Sequence, residues 1–147
     1  MNLANALIDE WGDYYIMNYI KASVTSIDSF EGITIVGFRA GTETLTMMSL
    51  ELDSSLQIGS EVILAIKATT VSLAAEKSAM LSISNQLPVR IQSIDIGELL
   101  CSVKLLFEGT LIESIITRNS VLRMDLKPED DIVVLVKASD LAIAEIV

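Results

Sequence analysis

Short stretches in which apolar and polar residues alternate run through most of this chain. The clearest extends from Cys101 to Phe107, where Cys, Val, Leu and Phe alternate with Ser, Lys and Leu. Such alternation predicts a strand with one buried face. The runs Val62 to Ile66 and Ile132 to Val136 are five residues each and rich in Val and Ile. All these runs are far shorter than the roughly 20 apolar residues of a membrane helix. The pattern therefore predicts many short, buried strands.

The pattern occurs twice along the chain. VILAIKATTVSLA, which begins at Val62, matches IVVLVKASDLAIA, which begins at Ile132, at an offset of 70 residues. NYIKASVTSID, which begins at Asn18, matches NQLPVRIQSID, which begins at Asn85, at an offset of 67. The two matches indicate a tandem repeat of about 65 residues, since self-similarity at a fixed period marks repeated structural units.

Each half predicts a small barrel. The second half has an alternating strand pattern after Pro88 and further strand patterns at 101–107, 111–116, 132–136 and 141–146. It also has a turn at Glu108-Gly109 and one or two helical turns within 119–126. Five short strands with one short helix are typical of a closed barrel of the OB type. We therefore predict an all-β fold of two tandem OB-like barrels, each with five strands and a short helix.

A short amphipathic helix is predicted ahead of the barrels. Leu3, Ala6, Leu7 and Trp11 recur at helical spacing, and Asn2 is a suitable N-cap. The predicted organisation is a helical leader at 1–13, a first domain at 14–77 and a second domain at 78–147.

Charge and composition exclude several classes of function. Twenty Asp and Glu against ten Lys and Arg give a net charge of −10, which opposes binding to nucleic acid and to anionic membranes. His is absent, so the commonest general base and the usual zinc and triad arrangements are missing. We predict no enzyme, no metal site and no nucleic-acid or membrane partner. The single Cys101 and an N-terminus without a secretory pattern predict a cytoplasmic location.

Three polar segments suggest a binding site. AMLSISNQLPVRIQSI, which begins at Ala79, places Ser82, Ser84, Asn85 and Gln86 directly ahead of a strand. SISNQL, followed by IITRNS ahead of a short helix and then LVKAS, resembles the molbindin family, also called the Mop or TOBE domain. The usual family pattern is Ser-Ala-Arg-Asn-Gln, Ile-Thr-x-x-Ser and Lys-Ala or Lys-Ser. The resemblance covers residues 79–147 well and 15–77 more loosely, in the tandem arrangement of a di-molbindin.

The resemblance implies an intracellular protein that binds molybdate or tungstate for storage, buffering or sensing. It further implies a homo-oligomer, a dimer or trimer, with sites between barrels or subunits and no covalently bound cofactor. A tetrahedral dianion needs several convergent donors and no nearby carboxylate, which hydroxyls, backbone N–H groups and a lysine satisfy. The oxyanion-binding residues implied are Ser82, Ser84, Thr117, Ser120, Lys137, Ala138, Lys67 and Ala68. Supporting roles fall on Asn85, which would hold the first loop, and on Asn18 and Arg118.

The sequence departs from the family pattern in both halves. Ser84 replaces the family's Arg, which removes a charge-assisted hydrogen bond worth about 1.5–3 kcal/mol; Arg118 and Arg90 are possible substitutes. In the first half Tyr15 and Met17 stand where Ser and Arg are expected. The hydroxyl pair of that half falls on Met47 and Leu50, or Ser49 takes the Thr position, so no full site is expected from the first half alone.

Two other functions are weighed against oxyanion binding. A degenerate tandem TOBE module would act in protein interaction or regulation with weak or no anion binding. In that case Lys67 and Lys137 are rim lysines that keep strand edges soluble, and Thr117 and Ser120 serve only as a helix cap. An OB-type nucleic-acid binder would need a basic groove, which the charge of this chain opposes.

Overall fold

The computed structural model describes residues 16–50 and 54–147, and within them the chain is mostly β. The predicted N-terminal helix and Tyr15 lie outside the described residues. In this part of the chain, ten strands form two five-stranded antiparallel sheets. The strands are β1 (Met17–Phe30), β2 (Ile33–Ala40), β3 (Glu43–Ser49), β4 (Glu61–Lys67), β5 (Ser72–Ala74), β6 (Asn85–Ile96), β7 (Leu100–Phe107), β8 (Thr110–Thr117), β9 (Asp131–Val136) and β10 (Ala142–Ile146).

The two long strands each have one buried face and a bulge, and the bulges bend the sheets. In β1, Ile20, Ala22 and Val24 are buried, whereas the intervening Lys21 is exposed. Both long strands, β1 and β6, carry a bulge at the same place in the repeat, after Val24 and after Ile91. A bulge bends a strand and increases its twist, so one long strand serves two parts of a curled sheet. The two sheets resemble OB-like folds, in agreement with the predicted class.

The last strand of each half pairs with the other half. The first sheet has the order β10-β4-β1-β2-β3, and the second has the order β5-β9-β6-β7-β8. Each half supplies five strands, but the prediction of five strands per barrel from one half is wrong, because β5 and β10 are exchanged. The exchange is possible because β4 and β9 have the same apolar pattern, VILAIK and IVVLVK, so either strand can pair with either last strand.

Within the described residues, the only α-helix is α1 (Arg118–Met124), in the second half. Thr117 caps it, and Asp125 ends it in the left-handed conformation at φ 52°. The predicted helix of the first half is not found among the described residues, and the corresponding segment includes 51–53, which are outside them. Leu50 occupies the place of Thr117 and carries no side-chain acceptor for a cap. The prediction of one helix per half is therefore not matched.

One hydrophobic core spans both halves. Buried residues such as Val36 and Phe38 from the first half belong to the same packed cluster as Leu105 and Val134 from the second. Because the exchanged strands and the core are shared, we expect the halves to unfold together. None of the helices among the described residues has the length and apolarity needed to cross a membrane.

Candidate functional site

Two buried asparagines tie the halves together in the same way. The Asn85 amide donates to the Thr46 carbonyl oxygen at 2.9 Å, and the Thr46 N–H donates to Asn85 Oδ1 at 2.7 Å. The Asn18 amide donates to the Glu113 carbonyl oxygen at 2.8 Å, and the Glu113 N–H donates to Asn18 Oδ1 at 2.7 Å. Each asparagine lies at the start of a long strand in one half, Asn85 as its first residue and Asn18 as its second, and satisfies both backbone groups of a residue in the other half. The side-chain amide of Asn85, which is predicted to hold the first loop, thus bonds to the backbone of the other half.

Gln86 holds that loop instead. Its Oε1 accepts the Ser78 N–H at 2.8 Å, and its Nε2 donates to the carbonyl oxygens of Ser78 at 2.8 Å and Ile83 at 2.9 Å. Ser82 and Ser84 lie in this loop with exposed side chains. The sequence placed Gln86 in the polar segment, but only the backbone geometry of the loop reveals what its amide does.

The first candidate place, which we call the Thr117 corner, comprises Lys67, Ala68, Thr117 and Ser120. The 3₁₀ turn Ala68–Thr70 of the first half packs against β8 of the second. Ala68 is fully buried there against Ile115. Thr117, the last residue of β8, accepts the Ser120 N–H at 3.2 Å, and its hydroxyl lies 3.0 Å from Ser120 Oγ. A lysine from one half thus lies at the same junction as two hydroxyls from the other.

The second candidate place, which we call the Lys137 corner, comprises Ser82, Ser84, Asn85, Lys137 and Ala138. Asn85 pairs with Val136 at the end of β9, which brings the SISN loop beside Lys137. The 3₁₀ turn that begins at Ala138 packs against β3 of the first half.

Leu50, directly after β3, is the first-half residue at the position that corresponds to Thr117. Thr46 and Glu113 are equivalent partners of the two asparagines, so the offset of 67 continues through β3 and β8. This offset places Leu50, rather than Met47 or Ser49, at the position of Thr117. Leu50 is 79% exposed and has no polar side-chain group to offer an anion.

The structure therefore divides the predicted site residues between two places. Asn85 is the first residue of β6, and Ile96 is its last. Thr117 pairs with Leu100, the first residue of β7, and therefore lies near the Ile96 end of β6. The SISN and KAS segments thus lie at one end of this strand, and the TRNS segment lies at the other. The second half does not bring its own three segments together; each corner combines segments from both halves.

Lys67 and Lys137 are alike in exposure and pairing, but the turns that follow them differ in charge. Lys67 and Lys137 are both exposed, and neither lies within ion-pair distance of a carboxylate in the part of the chain that the structure describes. In the turn after Lys137 stands Asp140, whereas the equivalent Thr70 donates its hydroxyl to the Lys67 carbonyl oxygen at 2.8 Å. A carboxylate beside an anion site weakens it, so the turn after Lys67 is more favourable to an anion than the turn after Lys137.

Of the two arginines considered as substitutes, one is already paired. Arg90 Nε lies 3.1 Å from Asp131 Oδ1, and its Nη1 lies 4.0 Å from Glu129. The hydrogen bond and charge of Asp131 raise the pKa of Arg90 above its ordinary value, with a smaller contribution from Glu129. Arg118 has an exposed side chain, and its backbone N–H donates to the Leu99 carbonyl oxygen at 2.9 Å.

A third arginine, Arg123, contacts one member of the hydroxyl pair and lies outside the three segments that resemble the family. Arg123 Nη2 donates to Ser120 Oγ at 3.3 Å. The available signal was the spacing, since residues three apart on a helix are neighbours.

The comparisons with known proteins agree with this architecture. Residues 81–143 match the TOBE domain family. A solved structure of the cytoplasmic molybdate-binding protein ModG, with molybdate bound, is similar over 86% of this chain and 94% of that chain, at 29% identity and a TM-score of 0.80. No curated protein sequence matches at a significant level. The family match lies in the second half, and the structural similarity extends over both halves.

Proposed function

We propose that this chain is a binding protein for a tetrahedral oxyanion, molybdate or tungstate, of the molbindin type and not an enzyme. The match of residues 81–143 to the TOBE domain supports the family. The similarity to ModG, which binds molybdate in the cytoplasm, supports the ligand class and the location. The proposed role is storage, buffering or sensing of the anion.

The Thr117 corner is the proposed principal site. The observation that carries this choice is that the turn after Lys67 in one half packs against β8 of the other half, which ends at the Thr117–Ser120 hydroxyl pair. In the described residues no carboxylate is paired to Lys67. Hydroxyl donors bind an anion without requiring a second charge, and the ammonium group adds attraction. The Ser120 N–H bonds Thr117 Oγ1 and the Arg118 N–H bonds the Leu99 carbonyl oxygen, so the proposed donors are side chains.

The Lys137 corner is proposed as the weaker site. Ser82, Ser84 and Lys137 supply donors there, but Leu50 replaces the threonine on the facing strand. Asp140 adds a negative charge within the adjoining turn. An anion at this corner therefore has fewer hydroxyl partners and a nearby repulsive charge.

A homo-oligomer, dimer or trimer, is part of the proposal. Phe30, Ile33, Ile35, Met48 and Leu50 are large apolar residues with exposed side chains on or beside β1–β3. Phe30 pairs with Ile33, and Ile35 pairs with Met48, so they form a continuous apolar surface. Surfaces of this kind are characteristic of protein interfaces, and the molecular mass in solution tests the assignment.

The experiment is isothermal titration of the purified protein with molybdate, tungstate and sulfate. Thr117→Val removes a hydroxyl with little change in volume, and Lys67→Met removes the charge. We expect at least tenfold weaker molybdate binding from either variant. Lys67→Met loses a charge-assisted contact worth about 1.5–3 kcal/mol. Thr117→Val removes the hydroxyl that donates to Ser120 Oγ and accepts the Ser120 N–H, so the Ser120 hydroxyl loses the partner that orients it toward the anion. The matched controls are Thr44→Val on β3 and Lys21→Met on β1, both exposed and away from the corners, and these should bind like the original chain.

The alternative is a tandem TOBE module that acts in protein interaction or regulation and binds anion weakly or not at all. The observation that favours it is the loss of the family's Arg in both halves, where Ser84 and Met17 stand. A flat titration with a folded protein would select this alternative. Equal affinity of Thr117→Val and the original chain would instead reject the Thr117 corner.

A further inference from the structure

Arg123 occupies a position that the family pattern does not mark. It lies near the end of α1, and its guanidinium group reaches back one turn to Ser120 Oγ, with 3.3 Å between Nη2 and the oxygen. The charged donor that the family takes from the first segment is absent here, because Ser84 and Met17 hold that position in the two halves. A cation at the hydroxyl pair therefore supplies the type of group that is missing.

The hydrogen bonds around Ser120 leave its proton available. Ser120 Oγ accepts from the Thr117 hydroxyl at 3.0 Å and from Arg123 at 3.3 Å. A hydroxyl has one donor and two acceptor positions, so both acceptor positions are filled. Two donors, one of them charged, make the remaining Ser120 O–H a stronger donor toward an anion.

Arg123 is not held by a carboxylate. Among the described residues, the ion pairs involve Lys77, Arg90 and Lys127 on the cationic side, and Arg123 takes part in none of them. The other guanidinium N–H groups are thus not committed to an acidic partner. In a chain with a net charge of −10, an arginine without a carboxylate next to two hydroxyls is a suitable anion contact.

We infer that Arg123 is the charged donor for the oxyanion at the Thr117 corner, in place of the arginine that the first segment lacks. This inference rests on the proposed function. The anion accepts hydrogen bonds from the Ser120 hydroxyl and from the free N–H groups of Arg123, while Lys67 contributes attraction from the other half. Because a guanidinium group presents several donors in one plane, it suits an oxyanion better than a single ammonium group.

The test is molybdate titration of Arg123→Gln and Arg123→Lys, with Arg39→Gln as the matched control. Arg39 is an exposed arginine on β2, and its substitution should leave affinity unchanged. Arg123→Gln should weaken molybdate binding about tenfold or more, since a charge-assisted contact is lost. Its affinity should also fall less steeply with added salt, because screening acts on charge. Arg123→Lys should recover part of the affinity. Unfolding in the absence of anion should be the same for all three.

Other outcomes would overturn the inference. If the original chain binds molybdate and Arg123→Gln binds equally well with an unchanged salt dependence, Arg123 is not a ligand contact and the proposed function stands without it. If Arg118→Gln loses the affinity instead, the charged donor is Arg118. If the original chain does not bind molybdate or tungstate, the proposed function fails and the inference fails with it.

Discussion

Replacing Asn85 with Leu should destabilise the junction between the two halves. Its side-chain amide satisfies the N–H and the carbonyl oxygen of Thr46 at 2.7 and 2.9 Å, and Asn85 itself is 1% exposed. Leucine keeps a similar volume and removes both bonds. The two backbone groups of Thr46 are then left without partners at the junction of the halves.

The magnitude follows from the number of groups left unpaired. A buried donor or acceptor without a partner costs about 1–3 kcal/mol, and Thr46 is only partly buried. Taking the lower part of that range for each group predicts a loss of about 2–4 kcal/mol in the free energy of unfolding. With a urea m-value of about 1–3 kcal/mol/M, the unfolding midpoint should fall by about 1 M or more.

The assay is urea unfolding followed by circular dichroism. Asn18→Leu should cost a similar amount, because the Asn18 amide makes the equivalent pair of bonds to Glu113. Asn119→Leu is the matched control: this asparagine is exposed on α1, and surface substitutions stay within about 0.5 kcal/mol. A cost for Asn85→Leu no larger than that of Asn119→Leu would show that these bonds do not stabilise the junction.

Three further predictions concern the shared fold. Ser102 Oγ is buried without a hydrogen-bond partner among the described residues, whereas Ser114 Oγ donates to the Val71 carbonyl oxygen at 2.6 Å. In thermal unfolding, Ser102→Ala should therefore be neutral or stabilising, and Ser114→Ala should cost about 1–3 kcal/mol. A larger loss of stability from Ser102→Ala than from Ser114→Ala would refute this assignment. Met80 is 92% exposed, so a protease site can be inserted beside it. Cleavage there should leave two fragments that co-elute in native buffer, because β5 and β10 each pair with a strand of the other fragment. Fragments that separate without denaturant would contradict that pairing. Gly41→Ala should lower the melting temperature, because Gly41, in the β2–β3 turn, has φ +60°. An added Cβ would also overlap the carboxylate of Glu108, in the β7–β8 turn, which accepts the Thr42 N–H. An unchanged melting temperature would show that the contact between these two turns does not stabilise the fold.

The alternation of residues determined most of the local structure. It predicted the strands, and the repeat at offsets of 67 and 70 predicted two related halves. Strand formation depends on which side chains are apolar and how they are spaced, and both are written in the sequence. The absence of His and the net charge limited the chemistry in the same direct way. The resemblance of the three segments is supported by the TOBE match and by the similarity to ModG.

Only the tertiary structure decided which segments meet. β4 and β9 share the same apolar pattern, so periodicity cannot say which last strand pairs with which of them. The exchange of β5 and β10 follows from long-range packing. That exchange carries the turns after Lys67 and Lys137 across to the other half, and it divides the predicted site residues between two corners. Side-chain ion pairs also depend on tertiary structure: Arg90 is paired with Asp131, which is 41 residues away in the sequence. Arg123 contacts Ser120 because a helix begins at Arg118, where the threonine before it provides the cap.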